Sequence, residues 1–368
     1  MEIGIIGLPT VGKTTLFNIV TKNFVDTGFA AASSGPNIGV AKVPDARLDW
    51  LSEKFNPKKT TYATINFVDV AGITKSEGKN ESSFSGQTLS ALKAVDALVL
   101  VVRLFDDPSV PNINETLNAI RDISTVESEL LLSDMQVAEN RIARLEQDIV
   151  RNRNKKEAEQ ELPLIKRIHE HLSEMQPLRD LELAPDELKI IKGYTMLTLK
   201  PMIYAINMGE DDEFSADMVT GADVREENGV ILINNTPTIA FKGKVEEEIA
   251  KLDDEEVAEF LSAMNILEPA ASRLIRTAYY ALDLISFFTV GEDECRAWTT
   301  VKGDTAPQAA GRIHTDLERG FIRAEAFTYD DLFKLGSVNA VKDAGLFRLE
   351  GKTHIVEDGE ILNIRFNV

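Results

Sequence analysis

The sequence predicts an α/β protein: a mostly parallel sheet with helices, interrupted by a helical insertion and followed by a small α+β domain. Three observations predict it. Short β-branched runs, apolar on both faces, alternate with helical stretches at Ile3–Ile6, Ala63–Val68, Ala97–Val102, Met202–Ile206 and Val230–Ile233, which suits a parallel sheet covered by helices. The first of these leads straight into Gly7-Leu-Pro-Thr-Val-Gly-Lys-Thr14, a complete G-x-x-x-x-G-K-[ST] loop. A heptad pattern begins at Leu131, and glycine-punctuated strands of another kind begin near Leu282. The expected domains are 1–124 with 201–281 for the nucleotide, 125–200 for the insertion, and 282–368.

The loop is convincing because of its neighbours. Met1–Ile6 reads as a buried strand and Thr15–Lys22 as an amphipathic helix, so strand, glycine loop and helix N-terminus follow in the order an anion site needs. Thr10, Val11, Gly12, Lys13, Thr14 and Thr15 are the expected phosphate-facing residues. Lys13 is expected to reach the β/γ-phosphates as the catalytic cation, and the Thr14 hydroxyl to ligate Mg²⁺.

Composition sets the bounds. A chain of 368 residues, 43% hydrophobic and 27% charged, fits two or three globular domains, and its net charge of −20 opposes non-specific coating of nucleic acid. No partner DNA is expected. With no run of eighteen apolar residues, no membrane partner is expected either. The first residues already read as strand, so neither signal nor transit peptide is expected and the cytoplasm is the expected location. Cys295 is the only cysteine and the four histidines are scattered, which excludes a disulfide framework and a cysteine-cluster metal site.

In the insertion, Leu131, Met135, Ala138, Ile142, Leu145 and Ile149 alternate spacings of four and three, flanked by charged residues. The polar, basic break Arg151-Asn-Arg-Asn-Lys-Lys156 separates this helix from a second carrying Leu162, Ile165, Ile168 and Leu172. The pair reads as an antiparallel coiled-coil arm, either structural or a lever whose basic tip touches a partner. In the last segment, Ala297–Val301, Phe321–Phe327, His354–Val356 and Ile361–Val368 are strand-like, giving a mixed sheet.

Two further motifs complete a nucleotide site. Ala63–Val68 ends in Asp69-Val-Ala-Gly72, the D-x-x-G pattern, where Asp69 is expected to hold the metal through water and the Gly72 N–H to meet the γ-phosphate. The loop after Met202–Ile206 reads Asn207-Met208-Gly209-Glu210 where GTP-binding proteins carry Asn-Lys-x-Asp. The basic stem that stacks on the base is lost and the acid is one methylene longer. Adenine lacks the two donors such a carboxylate accepts from, so the substitution points to ATP, or away from strict GTP use.

The residues at 7–14, Pro36-Asn37-Ile-Gly39, Val43-Pro44-Asp45, Asp69–Gly72, Asn207–Glu210, Ala240-Phe241-Lys242, Glu246–Asp254, Lys302–Gly311 and Ile313–Glu325 together resemble the Obg-like ATPase (YchF) family, over essentially the whole chain. The resemblance implies a nucleotide domain, a coiled-coil insertion and a C-terminal TGS domain. It also implies ATP hydrolysis coupled to a ribosome-associated or stress-regulatory role, with the large subunit or 70S ribosome met through the coiled coil and TGS domain.

This sequence departs from the family pattern in four places. Thr10 stands where relatives carry an Asn associated with a potassium ion. Ser33 replaces the Thr expected to complete the Mg²⁺ shell. Lys75–Phe84 replaces a glycine-rich second switch. The fourth departure concerns water activation: Ile73 occupies the position of the water-orienting Gln of Ras-like GTPases, and Asn112 the position of the family's candidate His. Asn positions water but takes no proton at neutral pH, so slow turnover is expected, with Asn112 the candidate catalytic residue beside Lys13. Two other readings stay open: a GTP-binding translation-factor GTPase, and a nucleotide-gated ribosome- or RNA-binding protein with little hydrolysis. His169, His171, His314 and Cys295 read as structural or solvated, and Lys302, Arg312, Arg319 and Arg323 as salt-bridge partners or phosphate contacts.

Overall fold

The structure is a computed structural model describing residues 1–24, 37–70, 84–112, 114, 116–264 and 266–367, with the side chains of Asp254 and Glu255 not described. Its strands are β1 (Glu2–Ile6), β2 (Asn37–Lys42), β3 (Lys59–Thr61), β4 (Thr64–Asp69), β5 (Ala97–Arg103), β6 (Met202–Asn207) and β7 (Val224–Glu227). They continue as β8 (Val230–Ile233), β9 (Thr236–Phe241), β10 (Leu284–Thr289), β11 (Glu294–Val301), β12 (Phe321–Thr328), β13 (Arg348–Glu350) and β14 (Glu360–Phe366). The helices that matter below are α1 (Lys13–Thr21), α2 (Ala46–Phe55), α3 (Gly86–Ala94), α4 (Ala119–Val150), α5 (Lys155–Ser173), α6 (Pro185–Ile191) and α7 (Gly243–Ile249).

The chain divides into two compact units, Met1–Gly39 with Asn66–Arg273, and Val40–Ile65 with Leu274–Val368. The sequence places 40–65 with the nucleotide segment and sets the insertion apart as a domain of its own. In the structure 40–65 groups with the C-terminal residues, and the insertion groups with the first unit.

The first unit is built on a sheet ordered β2-β4-β1-β5-β6-β9-β8-β7. β1 runs parallel to β4 and β5, β5 to β6, and β6 to β9. Every residue of β5 and β6 is buried, as strands covered on both faces require. Val230–Ile233, expected as a parallel strand, pairs antiparallel with both neighbours. The reason is local. Asn228-Gly229 and Asn234-Asn235, all at positive φ, make two tight two-residue turns, and such turns join only antiparallel strands.

The insertion is an antiparallel helix pair. Leu131, Ala138, Leu145, Ala158, Leu164, Ile165, Ile168 and Leu172 form its buried seam, with Met135, Ile142, Ile149 and Leu162 packed against it. α4 starts at Ala119, well before Leu131. Its first turns bury Ala119, Ile123, Val126 and Leu130, and α4 packs there on β5. Asn152 and Asn154 take left-handed conformations in the turn, and residues 151–156 are all exposed. Arg141 forks onto Glu161 at 2.8 and 2.6 Å, and the Tyr194 hydroxyl donates to the same carboxylate.

The second unit carries a mixed sheet ordered β13-β12-β14-β10-β11-β3. β3 pairs parallel with β11 in the register Lys59↔Glu294, which is how segment 40–65 is bound in. Ile285, Phe287, Ala306, Ala309, Ala310, Phe321 and Leu362 are among the residues filling its core. His354–Val356, expected as a strand, contributes a single bridge between Thr305 and Ile355.

Candidate nucleotide site

The phosphate loop joins β1 to α1. Gly7 at φ 151° and Gly12 at φ 98° need glycine, and Thr10 at φ 62° is held left-handed without it. Gly12 is the N-cap of α1 and supplies no side chain, so the first-turn amides remain available to an anion. The Lys13 ammonium lies over the loop and donates to the carbonyls of Leu8 at 2.8 Å and Gly7 at 3.3 Å. Burial pushes its pKa down to about 8, against the opposing pull of Asp69. Thr15 stands in the first turn of α1 and Val11 is buried.

At the end of β4, Asp69 accepts the Thr14 hydroxyl at 2.9 Å. Burial raises the Asp69 carboxyl above its usual range, with Thr14, Lys13 and Asn37 acting the other way. Both neighbouring charges, cation and carboxylate, are therefore held where an added counter-charge stabilises them. The hydroxyl and carboxylate are hard oxygen donors side by side, a set that fits Mg²⁺. Among the described residues no cluster of three or more His, Cys, Asp or Glu side chains offers another metal site. Ser33, Gly72, Ile73 and the segment 75–83 lie outside the described residues.

Asn207 ties the loops together. Its side-chain amide donates to the Val11 carbonyl at 3.0 Å, its side-chain oxygen accepts the Gly243 N–H at 3.0 Å, and its backbone carbonyl accepts the Leu104 N–H at 2.7 Å. It is buried, with both ends of its amide committed to backbone. Met208, next to it, is also buried, with its N–H on the Phe241 carbonyl at 2.9 Å. Glu210 lies further out, half-exposed and paired with Lys244 at 2.7 Å. Asn207 thus reaches the phosphate loop, whereas Glu210 reaches only the start of α7.

The segment after β5 carries Asn112, which is exposed and accepts the Asn114 N–H at 3.2 Å. Two residues not expected at the site hold neighbouring parts of it. Arg103, at the end of an otherwise wholly apolar β5, turns its guanidinium onto the loop that follows. Glu246, buried on α7, accepts the Ala270 N–H and the Arg273 guanidinium, both at 2.8 Å, and burial raises its carboxyl. The signal for Arg103 was available: a charge closing a strand of six apolar residues needs a partner.

A mostly parallel sheet, a glycine loop opening a helix, a part-buried lysine over that loop and a Thr–Asp oxygen pair at the adjacent strand end define a P-loop NTPase. Comparison with known proteins agrees. Residues 2–141 match the family model described as "50S ribosome-binding GTPase", and residues 284–367 match YchF-GTPase_C, described as "Protein of unknown function (DUF933)". The chain is 39% identical over 366 residues to the ribosome-binding ATPase YchF of Bacillus subtilis, covering 99% of both chains. It is 37% identical to Obg-like ATPase 1 of Oryza sativa, covering 100% of this chain and 92% of that protein. Among solved structures, the Schizosaccharomyces pombe YchF GTPase superposes with a TM-score of 0.83 at 33% identity, over 99% of this chain and 97% of that one. The chain belongs to the YchF family of P-loop NTPases.

Proposed function

We propose that this protein is a Mg²⁺-dependent ATPase that hydrolyses ATP slowly, as a nucleotide switch on the ribosome in the cytoplasm. The observation carrying this reading is the meeting of Lys13, Thr14 and Asp69 at the mouth of α1. The relatives' names, ribosome-binding ATPase and Obg-like ATPase, supply the nucleotide and the partner.

In this reading the loop amides of 10–15 and the Lys13 ammonium grip the phosphates, and Thr14, Asp69 and Ser33 hold the metal. Bound Mg²⁺ supplies charge neutralisation on the phosphate oxygens. On binding, Lys13 exchanges its two carbonyl acceptors for phosphate oxygens. Asn207 sets the loop's shape, while Met208 and Glu210 flank the base. Gly72 meets the γ-phosphate. Asn112 orients water without taking its proton, which limits turnover to below roughly 1 per second. In this reading the nucleotide is served by 1–124 with 201–281, 125–200 is the helical insertion, and 282–368 is a TGS domain to whose sheet Lys59–Thr61 add a strand. The exposed basic turn 151–156 and the TGS domain face the ribosome. No helix among the described residues is long and apolar enough to cross a membrane.

The names "50S ribosome-binding GTPase" and "YchF GTPase" favour a second reading, in which guanine is the base. Calorimetry with ATP and GTP in magnesium separates the two. ATP is expected to bind at least tenfold more tightly, and equal or reversed affinities overturn the adenine assignment. Cosedimentation with ribosomes in ATP against ADP tests the switch, and single-turnover hydrolysis with and without ribosomes tests the rate.

A further inference from the structure

Arg103 is 3% exposed and makes no ion pair with the described residues. Its guanidinium instead gathers backbone carbonyls of the loop that follows β5. Nε donates to Phe105 at 3.1 Å, Nη1 to Pro111 at 3.1 Å, and Nη2 to Val110 at 3.1 Å and Asp107 at 3.4 Å. The Phe105 ring lies under it, 4.3 Å from centroid to guanidinium carbon. The Pro111 carbonyl is shared, because the Thr10 hydroxyl of the phosphate loop also reaches it, at 2.8 Å, dividing its one proton between Pro111 and the Pro9 carbonyl at 2.7 Å. Within the loop, Asp107 accepts the Ser109 N–H at 2.8 Å and its hydroxyl at 2.6 Å.

We infer that Arg103 and Thr10 form a latch that fixes the loop 104–112 against the phosphate loop, making Arg103 a positioning residue for the hydrolytic step. This rests on the ATPase reading above and adds to it the device that sets where Asn112 stands. The physical case is direct. A buried cation needs compensating dipoles, and a planar fork satisfied by four carbonyls is geometrically exacting in a way a lysine is not. The common acceptor Pro111 adjoins Asn112, so displacing Pro111 displaces Asn112. Thr10 transmits the position of the phosphate loop to that same carbonyl. The latch touches neither Lys13 nor Thr14 and holds Thr10 by its hydroxyl, so it bears on water placement while the loop's backbone amides are left to the phosphates.

The test uses the full chain and the variants Arg103→Ala, Arg103→Lys and Thr10→Val, with steady-state ATP hydrolysis, ATP affinity by calorimetry and amide exchange of residues 105–112. Arg103→Ala is expected to lower kcat at least tenfold while the ATP dissociation constant stays within threefold, and to speed exchange in 105–112 at least tenfold. Arg103→Lys restores less than half of either loss. Thr10→Val, which keeps the β-branched shape and removes the hydroxyl, lowers kcat about threefold and adds little to Arg103→Ala, since both act on one carbonyl. Unchanged kcat and exchange in Arg103→Ala overturn the latch. Should Arg103→Ala not fold, an unchanged kcat and exchange in Thr10→Val overturn it. If the unmodified protein binds ATP yet never hydrolyses it, the ATPase reading fails by itself, and the exchange rates alone then decide the latch.

Discussion

At the scale of single residues, the site depends on a glycine whose absence of a side chain leaves room for Asn207. A Cβ on Gly12 falls 2.3 Å from the Asn207 side-chain nitrogen, on a backbone at φ +98°. Gly12→Ala is therefore expected to destabilise the protein by about 2–4 kcal/mol, from left-handed strain plus a displaced hydrogen bond, and to abolish ATP binding. Urea unfolding and calorimetry check both parts. Asn207→Ala leaves the Gly243 N–H buried without its acceptor, and about 1–3 kcal/mol of stability should be lost in the same assay. That Lys13, Thr14 and Asp69 come together was legible in the sequence, because a glycine loop after one strand and D-x-x-G after its parallel neighbour end side by side. The committed amide of Asn207 was not, since it depends on loops distant in the chain converging at one end of the sheet; nor were the acceptors of Arg103, which are backbone carbonyls of the next loop that no side chain marks.

At the scale of elements, the helix pair 119–173 offers the plainest tests. Leu145 is buried in a seam made only of insertion residues, so Leu145→Ala should cost about 2–4 kcal/mol and leave ATP affinity within twofold. Its polar side titrates at both extremes. Arg141 and the Tyr194 hydroxyl hold the Glu161 carboxyl below its ordinary value, whereas burial and Glu161 push the Tyr194 phenol up to about 12. A depressed carboxyl gives stability that is present above pH about 4.5 and lost as pH falls through its folded value. A raised phenol gives stability present below pH about 10 and lost as pH rises toward 12. Melting temperature against pH should show both declines, and both should shrink in Glu161→Gln.

The seam was legible from its heptads. The start of α4 was not, because between Leu130 and Leu131 the buried stripe shifts by one residue as the helix passes from the sheet to α5. Asn228-Gly229 did announce a hairpin, but the apolar run beside it resembled a parallel strand more strongly.

Across the whole molecule, a net charge of −20 makes any contact with ribosomal RNA a local matter. Replacing Arg151, Arg153, Lys155 and Lys156 by Glu is expected to reduce cosedimentation with ribosomes at least fivefold in low salt without changing ATP affinity. Unchanged pelleting removes the helix turn from the partner surface.

The sequence by itself determined that a triphosphate loop opens an α/β sheet and that two helices pair in an insertion, because both signals are local and periodic. Only the tertiary structure decided that Lys59–Thr61 join the C-terminal sheet, that Asn207 braces the phosphate loop, and that Arg103 and Thr10 meet at Pro111. Those arrangements rest on backbone groups of segments far apart in sequence, and a backbone carbonyl carries no mark of its partner until the chain has folded.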